Sequence, residues 1–166
     1  MKLRELQKKD ADRMLSWMHS EKSRYIFAKD FNNFTKDDVI SFINKKNTSE
    51  NINYACVDDG DNYLGTISLK NIDYENKNAE YAISFMEEAQ GTGAASYATK
   101  EILKLAFNDL KLKKVYLDVL ETNKRANAFY KKTGFIYEGK FEKHILKNNQ
   151  FIDLYWYRMF DDEFKG

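Results

Sequence analysis

The sequence predicts one α/β domain of the α+β kind, with about seven strands and about four helices. Apolar residues switch repeatedly between alternation, as in strands, and the three-to-four spacing of helices. Turn-forming glycine and asparagine clusters separate these segments. The 166 residues contain no proline, and we find no repeat and no low-complexity linker among them. A chain of this length is sufficient for one hydrophobic core, so we expect a single domain over residues 1–166.

The N-terminal third is predicted to contain a short strand and two helices. Lys2–Leu6 suits a strand, and apolar residues recur at helical spacing from Ala11 to about His19. Thr35-Lys36-Asp37-Asp38 has the pattern of a capping box and predicts the start of a second helix. We expect the residues between the helices to form a loop.

Strand patterns dominate the middle of the chain. Asn53–Val57 and Tyr63–Leu69 predict a hairpin, because Asp59-Gly60-Asp61-Asn62 between them is a favourable turn. Residues 70–79 are polar and rich in asparagine and lysine, so we expect a loop there. Glu80–Met86 predicts the next strand.

The C-terminal half alternates helices and strands. We expect a helix up to about Leu110, then a strand, then a short helix capped by Asn123 and ended by Gly134. The predicted strands are Val115–Leu120, Phe135–Leu146 and Phe151–Phe160.

Composition excludes several classes of protein. The 27 basic and 26 acidic residues form no basic excess, which argues against a broad nucleic-acid surface. No apolar run approaches the roughly 20 residues of a membrane span, and the charged N-terminus is unlike a signal peptide. Cys56 is the only cysteine, so no internal disulfide is possible, and with two histidines it forms no metal-ligand pattern. We expect a cytoplasmic protein without nucleic-acid or membrane partners.

Gln90-Gly91-Thr92-Gly93-Ala94-Ala95 is the most informative segment. It joins a predicted strand to a predicted helix, and a helix start leaves unpaired N–H groups that bind anions such as a pyrophosphate. A P-loop would need Lys followed by Ser or Thr after the second glycine, and a dinucleotide fingerprint would need a third glycine. Neither pattern is met, so the anion belongs to another ligand.

Two segments together resemble the GNAT (Gcn5-related) N-acetyltransferases. Gln90, Gly93 and Ala95 match the family's coenzyme A loop, Gln/Arg-x-x-Gly-x-Gly/Ala. Residues 123–135 match its Asn-x-x-Ala-x-x-x-Tyr-x-x-x-Gly-Phe segment at every defined position. The element order also matches over essentially the whole chain. Residues 65–69 and 79–83 are typical of the branch that contains ribosomal-protein N-terminal acetyltransferases and related small-molecule enzymes.

The resemblance implies a mixed central sheet, acetyl-CoA as co-substrate, and direct transfer to a primary amine in a ternary complex. Cys56 lies away from both motifs, which disfavours a covalent cysteine intermediate. A homodimer through the long C-terminal strands is a further expectation from the fold. The resemblance places coenzyme contacts at Ile83, Ser84, Phe85, Gln90, Gly91, Thr92, Gly93, Ala94, Ala95, Asn123 and Tyr130.

The same resemblance assigns the catalytic groups. Tyr130 is the candidate general acid, which would protonate the departing coenzyme thiolate, although it also fits a half-buried position on its helix. Asn123 is expected to bind pantetheine or an ordered water, or only to cap the helix. Glu80 is the candidate general base, with an exposed strand carboxylate as the alternative.

Other candidate bases are less favoured. The ribosomal branch can carry a base on the penultimate strand, but alignment from Gly134-Phe135 places Ile145 there, which weakens a ribosomal-protein substrate. His144 is expected on the opposite face, and His19 near the acceptor loop; either histidine also suits a surface position.

The acceptor is less defined than the donor. Aromatic residues between 17 and 34 suit either a pocket for a compact amine, such as a nucleotide-linked amino sugar, or ordinary anchoring of the loop. The pairs Asp37-Asp38 and Glu87-Glu88 keep a polyamine acceptor open. A protein N-terminus and a non-catalytic acetyl-CoA-binding module remain as alternatives.

Overall fold

A seven-stranded sheet organises the chain, which a computed structural model describes over Met1–Gly166. The strand order is β1-β2-β3-β4-β5-β7-β6. The strands are β1 (Lys2–Glu5), β2 (Ile52–Val57), β3 (Tyr63–Asp73), β4 (Asn78–Phe85), β5 (Lys114–Leu120), β6 (Ile136–Lys147) and β7 (Gln150–Phe160). The helices are α1 (Ala11–Met18), α2 (Glu21–Ile26), α3 (Lys36–Asn44), α4 (Ala94–Lys104) and α5 (Lys124–Lys132).

The junction between β4 and β5 is the one parallel pair in a sheet that is otherwise antiparallel. It contains only three residue pairs, from Asn78↔Lys114 to Glu80↔Tyr116. Beyond Glu80 and Tyr116 the two strands separate, while β4 continues to pair with β3 and β5 with β7. The sheet is therefore split into two arms that share only their base.

Helices cover both faces of the sheet, because successive side chains along each strand point to opposite faces. On β2, Ala55 and Val57 pack with α1 and α3, whereas Cys56 lies in the larger core cluster that includes α4. On β5, Val115, Leu117 and Val119 join that larger cluster. This leaves the side chains between them, including Asp118, for the opposite face.

Most predicted elements are confirmed. Thr35 forms a capping box with Asp38, Asn123 caps α5, and Gly134 follows α5 with φ of +96°. The helix after the glycine loop continues beyond Lys104 as a π-helical turn, Leu105–Asp109. None of the helices combines the length and apolarity needed to cross a bilayer.

Two predicted loops differ from the structure. The segment between the first two predicted helices contains α2, capped by Ser20, whose hydroxyl accepts from the Ser23 N–H. With six residues and no clear apolar period, α2 has a weak sequence pattern. Much of residues 70–79 extends the β3–β4 hairpin, with pairing out to Asp73↔Asn78. Ladder hydrogen bonds require no apolar side chains, so the polar composition of this segment did not identify it as strand.

Candidate active site

The glycine loop places a group of main-chain donors at the start of α4. Gly91 and Gly93 have φ of +79° and +85°, values that residues with a Cβ rarely adopt. Unpaired N–H groups, without an acceptor in the protein, belong to Gly91, Thr92, Gly93, Ala95 and Ser96. A Cβ at either glycine would meet no atom within 4 Å, so the loop is open to a ligand. This is the arrangement required for a pyrophosphate at a helix N-terminus.

Thr92 holds the loop in this shape. Its hydroxyl donates to the Ala89 carbonyl at 2.7 Å and accepts from the Ala94 N–H at 3.3 Å. The Thr92 side chain and the buried Ala94 therefore do not line the open space. The Thr92 N–H is free and the Ala94 N–H is engaged, and the predicted coenzyme contacts of both residues stay predictions.

The loop opens into a cleft of about 660 Å³ between the two separating strands. The cleft brings together most of the predicted site residues, from both arms of the sheet. These are Glu80, Ile83, Ser84, Phe85, Gln90, Gly91, Gly93, Ala95, Asn123 and Tyr130. Along β4, residues beyond Glu80 have no partner on the β5 side, so their outward main-chain groups are available to an extended ligand.

Tyr130 lies in an aromatic cluster next to the cleft. Its side chain is 7% exposed, and its ring contacts those of Tyr81, Phe135 and Tyr157 at centroid distances of 5.9–6.1 Å. No protein group hydrogen-bonds to its hydroxyl. Burial, with a smaller contribution from the nearby Asp118 carboxylate, raises the pKa of Tyr130 strongly. The hydroxyl therefore stays protonated and is free to donate.

Asn123 connects two distant segments. Its Oδ1 accepts from the Ala126 N–H at 3.1 Å, and its Nδ2 donates to the Ile26 carbonyl at 3.2 Å. The predicted cap is confirmed, and the second bond fixes the end of α2 against the start of α5. The amide is thus engaged on both sides, and its predicted contact with pantetheine or water stays a prediction.

Glu80 lies on the cleft face of β4 but is neutralised by neighbours. Its carboxylate forms an ion pair with Lys70 at 2.6 Å and accepts from Asn71 Nδ2 at 2.9 Å. Its side chain is 17% exposed, so the alternative of an exposed surface carboxylate does not describe it.

Asp118 is a second carboxylate in the cleft that the sequence analysis missed. It makes no hydrogen bond and no salt bridge within the protein. Burial, followed by repulsion from Glu80, raises the pKa of Asp118. The relevant sequence signal is an acidic residue within the largely apolar strand Val115-Tyr116-Leu117-Asp118-Val119. Asp118 lies on the strand face opposite to Val115, Leu117 and Val119.

The other candidate groups lie outside the cleft. His19 Nε2 bonds to the Phe34 carbonyl at 2.8 Å, and the His144 ring packs against Phe141. Ile145 and Cys56 do not line the cleft either. Burial raises the pKa of the Cys56 thiol to about 11, which makes it a poor nucleophile near neutral pH.

An aromatic wall forms another part of the cleft lining. We use this name for Trp17, Phe27 and Phe31, whose ring centroids lie 5.3–5.7 Å apart and which all line the cleft. Lys29 lies beside it, with its ammonium 5.7 Å from the Phe31 ring centroid. Tyr25, by contrast, is 56% exposed. The loop aromatics therefore divide between pocket and surface.

The acidic pairs do not surround this wall. Asp38 is engaged in the cap of α3, Glu87 pairs with Lys22, and Glu88 pairs with Arg13. None of these carboxylates lines the cleft. Glu80 and Asp118 are the only acidic residues that line the cleft, fewer than a polyamine would favour.

Comparison with known proteins supports the family. Curated relatives include the provisionally named ribosomal N-acetyltransferase YdaF of Bacillus subtilis, 30% identical over 61% of this chain and 56% of its own length. Spermidine N(1)-acetyltransferase of Vibrio cholerae is 32% identical over 56% of this chain and 54% of its own length. The chain thus spans about half the length of these curated relatives in the matched regions.

Solved structures support the fold. A crystal structure of spermidine N-acetyltransferase from Vibrio cholerae in complex with CoA and spermine superposes with a TM-score of 0.88. It is 23% identical, with 98% of this chain and 96% of that chain covered. The family model described as acetyltransferase (GNAT) domain matches residues 1–136. The chain therefore belongs to the GNAT acetyltransferase family, as its two motifs predicted.

Proposed function

We propose that this chain transfers the acetyl group of acetyl-CoA to the primary amine of a small molecule, by direct attack in a ternary complex. The observation that carries the proposal is a single cleft lined by three kinds of group. These are the glycine loop with its unpaired N–H groups, the aromatic wall, and Tyr130. Membership of an acetyltransferase family agrees with this arrangement.

The donor is bound chiefly by main-chain groups in this proposal. The pyrophosphate accepts from the free N–H groups at the start of α4, where the helix dipole also favours negative charge. The pantetheine arm extends along the open edge of β4 beside Ile83, Ser84 and Phe85, which no β5 residue pairs with. Its thioester then lies between the two arms, near Tyr130.

Transfer requires two proton movements. The acceptor ammonium loses one proton, and its nitrogen lone pair attacks the thioester carbonyl carbon. When the tetrahedral intermediate collapses, the C=O bond re-forms, the C–S bond breaks, and the sulfur takes a proton from the Tyr130 hydroxyl. The nitrogen returns a proton to Tyr130, so the products are an amide, the free thiol and one released proton. Holding both reactants in one cleft supplies much of the rate.

The acceptor that the cleft fits best carries one amine on a compact ring, such as an amino sugar with or without a nucleotide. Three features support this choice: the aromatic wall suits a ring, Lys29 beside it suits an anionic substituent, and Asp118 is the one carboxylate in the cleft without a cation partner. A polyamine is the second candidate, since relatives are named spermidine acetyltransferases. A ribosomal or other protein N-terminus is a third.

A thiol-release assay with acetyl-CoA and a panel of amines tests the proposal. The panel contains amino sugars, amino-sugar nucleotides, spermidine, spermine, amino acids and N-terminal peptides. We expect turnover with the first two groups and weak or no turnover with polyamines. Preference for spermidine would contradict the acceptor assignment alone. Acetyl-CoA binding measured by calorimetry, without turnover on any amine, would instead favour a binding module.

A further inference from the structure

We propose that Asp118 is the general base that removes the proton from the acceptor ammonium, an inference that rests on the proposed acetyl transfer. Asp118 lies two residues beyond Tyr116, the last β5 residue that pairs with β4. It is therefore among the first β5 residues at the point where the two arms separate. Asp118 and Tyr130 line the same cleft, one suited to accept a proton and the other to donate one.

The contacts of the two cleft carboxylates distinguish their roles. Glu80 is held by Lys70 at 2.6 Å and by Asn71 at 2.9 Å, so its oxygens are engaged with donors. Asp118 has no donor in the protein, and both of its oxygens are available to an ammonium or to a water that relays its proton. A carboxylate that must accept a proton in each turnover needs this freedom.

The surroundings of Asp118 favour the protonated product of that step. Glu80 on β4 repels the Asp118 charge, whereas Lys70 on β3 and His144 on β6 partly offset the repulsion. On β5 itself, Tyr116 is neutral, and Trp156 lies opposite Asp118 on β7. The Tyr130 hydroxyl on α5 is also neutral. Burial together with Glu80 outweighs these two opposing contributions and raises the pKa of Asp118, which makes it a stronger base than an exposed carboxylate.

In the step itself, an Asp118 oxygen takes one proton from the acceptor R–NH3⁺ and leaves R–NH2 with a free electron pair. That pair forms the C–N bond, and Asp118 later releases the proton to solvent. Glu80, which Lys70 and Asn71 hold in place, acts through its charge on the pKa of Asp118 and does not itself take the proton. No other reactant is needed, because acetyl-CoA supplies the acyl group.

Asp118→Asn tests this inference in the whole protein. We expect kcat to fall about 10²–10⁴-fold, the range for loss of a general base, with unchanged acetyl-CoA affinity by calorimetry. In the wild type, kcat/KM should fall with decreasing pH as Asp118 becomes protonated, and this acid limb should be absent or shifted in the variant. Asp118→Glu should recover part of kcat. Asp59→Asn, at a side chain that is 97% exposed, is the matched control and should leave kcat unchanged.

Correct folding of Asp118→Asn is checked by its melting temperature, which should not decrease because Asp118 makes no hydrogen bond in the protein. A variant that retains turnover within about threefold, with the wild-type pH profile, would overturn the role of Asp118 and leave the proposed acetyl transfer intact. Loss of the acid limb in Glu80→Gln but not in Asp118→Asn would overturn it in favour of Glu80. A wild-type protein that acetylates no amine would overturn the proposed function and this inference together.

Discussion

The two parts of the cleft that we propose as the donor and acceptor ends are built in different ways. At the donor end, the contacts available to a ligand are mainly N–H groups of one continuous loop, Gly91–Ser96. At the acceptor end they are side chains from α1, from the segment after α2, and from β4 and β5, which are far apart in the sequence. Main-chain recognition depends on backbone conformation, which is visible in the sequence as a compact glycine pattern. Side-chain recognition depends on the packing of distant segments and produces no such pattern in the sequence.

This comparison predicts that the two ends can vary independently. The donor end depends on the path of the backbone, whereas the acceptor end depends on individual side chains such as those of the aromatic wall. We therefore expect substitutions at the two ends to change different constants, and the following experiments test that separation.

The largest effect on acetyl-CoA affinity is expected from Gly93→Val. A Cβ at φ of +85° costs roughly 1–2 kcal/mol of backbone strain, and the added methyl groups occupy the open space beside the free N–H groups. Acetyl-CoA binding measured by calorimetry should weaken on the order of 10²-fold, since about 1.4 kcal/mol corresponds to a tenfold change.

Gly139→Val is the control for that substitution. A Cβ at Gly139 also meets no atom within 4 Å, but the residue lies on β6 and has no positive φ. Acetyl-CoA affinity should be unchanged there. If Gly93→Val bound acetyl-CoA as tightly as the wild type, the glycine loop would not be the pyrophosphate site.

Tyr130→Phe is expected to reduce kcat by about 10²-fold, because it removes the proton donor to the leaving thiolate. Acetyl-CoA affinity should change little, since the ring and its packing remain. Steady-state thiol release and calorimetry measure the two quantities. Tyr74→Phe, at a side chain that is 47% exposed, is the control. Unchanged kcat in Tyr130→Phe would remove the assigned role of the hydroxyl.

Phe31→Ala should affect the acceptor end alone. Loss of a ring that packs with Trp17 and Phe27 removes about 0.5–1.5 kcal/mol of aromatic contact in addition to buried area. We expect the acceptor KM to rise about tenfold, with acetyl-CoA affinity unchanged. Phe151→Ala, at a ring that is 65% exposed, is the control. A parallel loss of acetyl-CoA affinity in Phe31→Ala would break the proposed separation of the two ends.

The smallest effect separates the structural and functional roles of Asn123. Asn123→Ala and Thr35→Ala each remove an N-cap and should each cost about 0.5–2 kcal/mol in the free energy of unfolding. Only Asn123→Ala also releases the Ile26 carbonyl and thus the end of α2. Denaturant unfolding should show similar losses, whereas the acceptor KM should rise in Asn123→Ala alone. An equal effect of both substitutions on KM would assign Asn123 a cap role only.

Predictions from the sequence succeeded for features whose stabilising interactions join residues that are close together in the chain. Capping at Thr35 and Asn123 and the turn at Gly134 depend on residues within a few positions of each other. The short α2 escaped prediction because Ser20 and Ser23 stabilise it by side-chain bonds without an apolar period. Asp118 escaped because its one sequence signal, an acidic residue within a largely apolar strand, does not distinguish a cleft carboxylate from a surface one. Its environment comes from Glu80 and Lys70 on other strands.

The sequence by itself determined the order of the strands and of the longer helices, the glycine turn at Gly91–Gly93 and the family, because each depends on short-range spacing and backbone conformation. The tertiary structure decided which side chains meet in the cleft. The β4–β5 ladder ends at Glu80↔Tyr116, and that separation of the arms creates the space that Tyr130, Asp118 and the aromatic wall share. Where a ladder ends depends on the packing of helices on both faces of the sheet, and such contacts are set by the folded chain as a whole.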